Sequence, residues 1–222
     1  MTKEEIIIEL EKNKNQKGIE NWQKLNQKMA SYGIGITQLR SIAKEIKKDH
    51  KLSLECWNSE VYDLKIIAIL IEEIHKVSRQ QVETQILEAE YWMLSQIYNT
   101  ELLGKLDYAK EYIIKYVAHE NAIKRRAAYI LLSTVSKTNK ALTDIFFKNY
   151  LYIIENDIQI EENFVKEAMS NALLAIGQRN FALHKKALEV AKKIGKVEVN
   201  YGNDTFEEFD SLKYLMNKKI LK

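Results

Sequence analysis

Not one of the 222 residues is proline and only seven are glycine. The residue types that most often break or turn a chain are almost missing, so little punctuates it. Apolar residues recur at intervals of three and four nearly throughout, the period of helices that bury a single stripe. Isoleucine, leucine, lysine, glutamate and alanine dominate, which favours helix further. These features predict an all-α protein, long enough to bury a substantial core.

The periodicity predicts helices near 2–13, 18–30, 37–49, 59–76, 79–88, 89–103, 108–118, 121–137, 140–155, 161–177 and 180–194. Thr37 and Asn121 precede apolar runs and are candidate caps. Gly104, Gly177 and Gly195 sit where helices should stop. "YGIGI" (32–36) reads as a loop in which Gly33 and Gly35 permit backbone angles that other residues resist. After residue 195, "KVEVNYGNDTFEEFD" alternates valine with polar residues and turns at Tyr201-Gly202-Asn203. It reads as an extended segment before a last helix near 207–219.

Short helices on short loops predict stacked helical hairpins. "LKIIAILIEEI" (64–74), "RRAAYILLSTV" (125–135) and "KEAMSNALLAI" (166–176) share a cation near the start, then small or branched apolar residues, then leucine or isoleucine. Arg125 and Lys166 lie 41 residues apart, within the period of about 40–47 of HEAT and armadillo units. Lys65 and Arg125 are 60 apart, so the register is irregular. Stacked pairs make a curved solenoid whose inner helices share a concave face. Those three helices and the one carrying Trp92 are the expected inner set.

Charge and cysteine content narrow the function. The net charge is only +3, so composition alone does not announce a nucleic-acid partner. Cys56 is the single cysteine, which excludes an internal disulfide and a cysteine-based metal site. His50, His75, His119 and His184 have no partner at ligand spacing, so no metal and no cofactor is expected. "GIGITQLR" follows no strand pattern, and no phosphate-binding glycine loop or nucleophile elbow occurs. "MTKEEIIIELEKNKNQ" is too short and charged for a signal peptide or membrane span. A cytoplasmic monomer with no membrane association is the expectation.

Two groups of residues could bind something. Lys124, Arg125 and Arg126 fall in the first turn of a helix, where cations are locally unfavourable by a few tenths of a kcal/mol. Free backbone N–H groups there would suit a phosphate. The plainer alternative is solvated surface charge. In "EYWMLSQ", Tyr91 and Trp92 are about 100° apart around a helix, so at most one points squarely into the core. Either they fill space, as Trp22 and Trp57 should, or they form a stacking platform.

"YGIGITQLRSIAKEI", "CWNSEVYDLKIIAILI", "EYWMLSQIYNTELLG" and "NAIKRRAAYILLS", in this order, resemble the AlkD-like DNA alkylation repair family of HEAT-like-repeat alkylpurine DNA glycosylases. "VKEAMSNALLAIGQRNFALHKKALEVAKKIGKVEV" is similar to a branch of the same family. The resemblance covers about residues 30–199. It implies a right-handed α-solenoid of HEAT-like, armadillo-type hairpins, one curved domain over 1–199. Residues 200–222 would form a tail whose short helix packs on the last repeat.

In active members the concave face grips double-stranded DNA by its backbone, and a cationic alkylated purine is lost by hydrolysis without being flipped into a pocket. The functional positions are a tryptophan, an aspartate one turn later and an arginine opening a later helix. Trp92 matches the tryptophan and Arg126 the arginine, but the aspartate position falls on Gln96. A further family aromatic falls on Asn171. Bond cleavage builds positive charge on the sugar, which a carboxylate stabilises and a glutamine does not. Glu88, one turn before Trp92, is off the family's spacing. The resemblance therefore implies duplex-DNA binding through Trp92, Arg126, Tyr91, Lys124, Arg125, Lys65, Lys166 and Asn171, with excision of N3- or N7-alkylated purines weak or absent. The alternative is a non-catalytic helical scaffold for protein partners. A DNA binder should cluster Lys65, Lys124, Arg125, Arg126, Lys166 and Arg179 as a basic face.

Overall fold

Helix formation begins at the second residue. Thr2 accepts from Glu5 N while the Glu5 carboxylate reaches back to Thr2 N, a capping box that starts α1 (Lys3–Lys12). The computed structural model describes residues 1–24, 28–200 and 206–217, with the side chains of Trp92 and Phe206 outside that description. The chain divides into two compact units, Met1–Leu106 and Asp107–Lys222.

In the first unit α1 is followed by α2 (Gln16–Lys24), α3 (Ile36–Ile46), α4 (His50–Trp57), α5 (Tyr62–Ile71), α6 (Arg79–Glu88) and α7 (Trp92–Ile97). α5 is the centre: nine of its ten residues are buried, as expected of a helix apolar all round. Asp63 on α5 is fully buried and accepts from Ser31 Oγ, Tyr32 N and Ile34 N, pinning the glycine loop. Burial still raises its pKa, outweighing those three hydrogen bonds. Gly33 has φ +69°, and a Cβ there would collide with the backbone of Asn15 and Ile19. The loop thus needs this glycine.

Three expectations fail here. The helix expected over 59–76 is α5 alone, followed by a 3₁₀ turn at Ile74–Lys76. Glu72 leaves helical angles because its buried carboxylate is held by Ser53 Oγ, Gln81 Nε2 and Glu73 N, with His50 Nδ1 at 2.7 Å. The periodicity does not predict α4, which starts on Asp49, whose side chain caps Leu52 N at 3.0 Å. Thr37 is not a cap, since α3 starts from Gly35 with no side-chain cap.

The second unit contains α8 (Ala109–Tyr116), α9 (Ala122–Thr138), α10 (Asp144–Asp157), α11 (Asn163–Arg179), α12 (Phe181–Ile194) and α13 (Ser211–Asn217). α9 packs on α8 and α11, and α12 packs on α10 and α11. Buried Ala127, Ala128, Ala168, Ala172 and Ala175 allow close helix approach. Asn121 caps α9 as expected, accepting from Ile123 N and Lys124 N. Gly195 ends α12 at φ +65°. Gly177 does not end a helix: it lies buried inside α11, where a Cβ would meet Leu215 Cδ2 at 2.7 Å and Ala187 Cβ at 2.8 Å.

The extended segment is an antiparallel pair, β1 (Val197–Asn200) and β2 (Phe206–Phe209), in the register Val197 with Phe209 and Val199 with Glu207. Val197 and Val199 are buried and Glu198 and Asn200 exposed, the period of two that the sequence carries. The expected turn at 201–203 lies outside the described residues. α13 packs on α11 and α12, so this tail belongs to the second unit.

Candidate nucleic-acid interface

α7 begins at Trp92, with Tyr91 at the cap position. Gln96, one turn on, is exposed. The expected helix to 103 does not continue regularly: the backbone widens into a π turn at Tyr98–Leu102 and tightens to a 3₁₀ turn at Leu103–Lys105. Buried Asn99 donates back to Ser95 O at 2.8 Å, and Thr100 Oγ1 donates to Gln96 O at 2.9 Å. A π turn inserts a residue into the helix and so re-aims the side chains beyond it. Trp92 itself, the first of the expected contacts, has its side chain outside the described residues.

The widened turn places Glu101 where it collects cations. Arg40 Nη2 donates to Glu101 Oε1 at 2.8 Å and Lys105 Nζ donates to Oε2 at 2.7 Å. Those contacts, Lys105 first, hold the Glu101 carboxyl below its ordinary range. Lys48 stands near enough to Lys105 to be depressed by it, after the larger effect of burial. One carboxylate thus sits among three cations on α3, the loop after it and the turn after α7. Sequence reading missed this group because residues 40 and 101 come together only in space. The one available signal was Arg40, Lys44, Lys47 and Lys48 recurring at helical spacing.

Lys65 is not a surface cation. It is 7% exposed, donates to Trp57 O at 2.8 Å, lies 4.6 Å from the Trp57 ring centroid and 3.6 Å from Glu88. A lysine at the fourth position of a helix buried all round turns inward, so its ammonium takes an internal partner in Trp57 O. Glu88 also accepts from Trp57 Nε1, so this carboxylate has structural partners. Tyr91 is half-buried. Its ring meets Trp22 at 4.6 Å and Tyr62 at 5.5 Å, both edge-on, and burial raises its pKa. Trp57 is core, whereas Trp22 is half-buried and donates to Met29 O.

In the second unit the three cations of α9 separate. Lys124 Nζ lies 5.1 Å from the Tyr116 ring centroid, with Lys115 over the same ring at 5.5 Å. Arg125 is committed to its own fold: Nε and Nη2 bind Glu161 at 2.7 and 2.9 Å, and Nη1 donates to His119 O and Glu120 O. The Glu161 contact, first, raises its pKa. The backbone amides expected to be free for an anion are taken, since Asn121 Oδ1 holds those of Ile123 and Lys124.

Arg126 is buried, 3% exposed, and burial lowers its pKa. Its charge reaches Glu167 on α11. Burial nevertheless pushes Glu167 up to about 7, with Arg126 pulling it down and Glu207 pushing it up. Asn171, one turn beyond Glu167, is exposed, and Lys166 is half-buried. Arg179 joins two carbonyls, Ser136 O at 2.7 Å and Leu142 O at 3.0 Å, over the Phe147 ring. Of the cations expected on a basic face, Lys65, Arg125 and Arg179 make structural contacts within their own units.

Among the described residues, no cluster of three or more His, Cys, Asp or Glu could hold a metal ion, and no helix is long and apolar enough to cross a membrane. The sequence profile of the family described as DNA alkylation repair enzyme matches residues 6–202. An uncharacterized protein of Listeria innocua is 26% identical over 188 residues, 83% of this chain and 81% of that one. One of Listeria monocytogenes is 25% identical over the same shares. A solved structure described as "a new family of proteins related to the HEAT-like repeat DNA glycosylases with affinity for branched DNA structures" superimposes with a TM-score of 0.89. It is 22% identical and covers 97% of this chain and 93% of that one, so the fold is shared.

Proposed function

The chain belongs to the DNA alkylation repair enzyme family, and from that membership we propose that it binds DNA, with excision of alkylated purines weak or absent. The solved neighbour's affinity for branched DNA structures makes branched as well as duplex DNA the substrate class to test. The observation that carries the reading is Gln96, exposed one turn after Trp92, where the family resemblance calls for aspartate.

The physical consequence is one of charge. Loss of an alkylated purine leaves positive charge on the sugar, and a nearby carboxylate lowers that barrier and orients water. Glutamine supplies a dipole and hydrogen bonds only. Removing one preorganised electrostatic group costs about 3–4 kcal/mol, two to three decades in rate. Glu88 does not replace it, being engaged by Trp57 and Lys65. Phosphates are instead met by cations: Arg40, Lys48 and Lys105 in the first unit, and Lys124 and Lys115 beside Tyr116 in the second. Arg126, at the family's arginine position by resemblance, is buried near Glu167 and adds charge to this unit.

The experiment is base release from N3- and N7-alkylated DNA by wild type and Gln96→Asp. Wild type should release purines no faster than spontaneous depurination, and Gln96→Asp should gain up to roughly two to three decades. Fast wild-type release would defeat the reading. A protein-docking function has one observation in its favour: Ile145 and Phe181 are 70% and 75% exposed beside the Asn180–Asp144 hydrogen bond of 2.8 Å.

A further inference from the structure

The first unit holds a cavity of about 490 Å³ whose lining includes Lys65, Glu88, Tyr91, Asn58, Glu60 and Glu90. Its volume falls within the roughly 300–1,000 Å³ of small-molecule sites. Its chemistry is unusual for a surface cleft. The Lys65 ammonium is almost wholly buried, yet among the described residues its one hydrogen bond goes to Trp57 O, and Glu88 stands 3.6 Å away. A donor and an acceptor therefore lie side by side on the lining, with hydrogen-bonding capacity left on both. Tyr91 supplies an aromatic surface whose ring is fixed by its edge contacts with Trp22 and Tyr62. Glu60 and Glu90 add two more anionic acceptors, and Asn58 an amide.

We propose that this cavity receives the guanine base of an unpaired nucleotide. The inference rests on the DNA-binding reading and gives it a substrate feature: a strand branch or mismatch that leaves a base out of the stack. Guanine's Watson–Crick edge places a carbonyl acceptor, O6, beside the N1–H and N2–H donors. Lys65 matches O6, and the Glu88 carboxylate matches the neighbouring N–H groups. Guanine carries three N–H donors on that edge, against two on adenine or cytosine and one on thymine, and the cavity offers three carboxylates. A ring on Tyr91 gains stacking that any base would share, so the carboxylates set the choice. Lys28, exposed on the lining, is placed for the attached phosphate. A base paired within a duplex cannot present this edge, so the site reads only unpaired nucleotides.

The test compares binding of a three-way junction carrying one unpaired guanine, the same junction with thymine, and a fully paired duplex. Wild type should favour the guanine junction by about tenfold, the worth of one good base-edge contact. Glu88→Gln keeps an amide oxygen for Trp57 Nε1 but removes the charge. It should bring the two junctions within about twofold of each other and leave duplex affinity unchanged. Glu90→Gln, on the exposed rim, should shrink the preference in the same direction and serves if Glu88→Gln folds poorly. Equal wild-type affinity for both junctions, with duplex binding intact, overturns the proposal while leaving DNA binding standing. If no DNA binds at all, the DNA reading fails. The cavity is then judged by calorimetry with guanosine and thymidine monophosphates, where guanine-selective binding supports it and no binding overturns it.

Discussion

Arg40 Nη2 and Glu101 Oε1 meet at 2.8 Å, joining α3 to the widened turn after α7 across 61 residues of sequence. The pair is half-exposed on the arginine side, so it contributes little to stability, about 0–1 kcal/mol. Its value lies in presenting a guanidinium beside Lys105 and Lys48. Arg40→Ala should leave the melting temperature within a degree or two, weaken DNA binding by about 1 kcal/mol and reduce the salt slope by about one. Glu101→Gln should strengthen binding, because it removes the carboxylate that Arg40 and Lys105 share. Fluorescence anisotropy over a salt series measures both.

Glu167 gives the second prediction, through pH. Its pKa is about 7 in the folded protein, against an ordinary 4.5, so the folded state binds this proton more tightly than the unfolded chain. Below 4.5 the group is protonated in both states and costs nothing. As pH rises from 4.5 through 7 stability falls, and above 7 the whole penalty is present. Glu167→Gln should therefore raise the melting temperature more at pH 8 than at pH 5. The gain at pH 8 should be roughly 1–2 kcal/mol once solvent screening at a half-buried site is allowed for. The same variant should flatten a pH dependence in which wild type binds DNA more tightly below pH 7.

Gly177 tests the packing of the second unit. Alanine there puts a methyl group against Leu215 and Ala187 at under 3 Å. Gly177→Ala should destabilise the protein by about 1–3 kcal/mol in thermal or chemical denaturation, as overpacking does. Leu215→Ala should relieve part of that loss when the two are combined.

The first unit's aromatic pair separates two roles. Under the DNA-binding reading, Trp92→Ala lowers DNA affinity and leaves the melting temperature nearly intact. A core role would instead cost about 3–5 kcal/mol. Tyr91→Ala, by contrast, breaks the contacts with Trp22 and Tyr62 and should destabilise the first unit.

Helical class, the positions of most helices, the Asn121 cap and the Gly195 stop were legible in the sequence because each depends on local periodicity or one residue's backbone preference. Most of the misreadings involve partners distant in sequence. Lys65 reads as a surface cation by its charge, whereas the fold sets it between Trp57 and Glu88. Arg125 and Arg179 opened or closed apolar stretches as a basic face would, yet Glu161 and two carbonyls claim them. Glu72 ended α5 through contacts to α4 and α6 that no local window contains. Gly177 read as a stop because its reason, the approach of Leu215, lies 38 residues on. The role proposed for Gln96 rests on the resemblance alone, whereas the Arg40–Glu101–Lys105 group needed coordinates.

The central claim is that this protein holds DNA by its phosphates. The most direct test is the affinity of wild-type protein for a duplex and a three-way junction as salt is raised. Each neutralised phosphate releases counterions, so log K should fall linearly with log salt, with a slope of about −3 or steeper if several cations engage. A steep line, shallower by about one in Arg40→Ala, is the predicted result. Binding that ignores salt, or no binding to either DNA at low salt, would contradict the account.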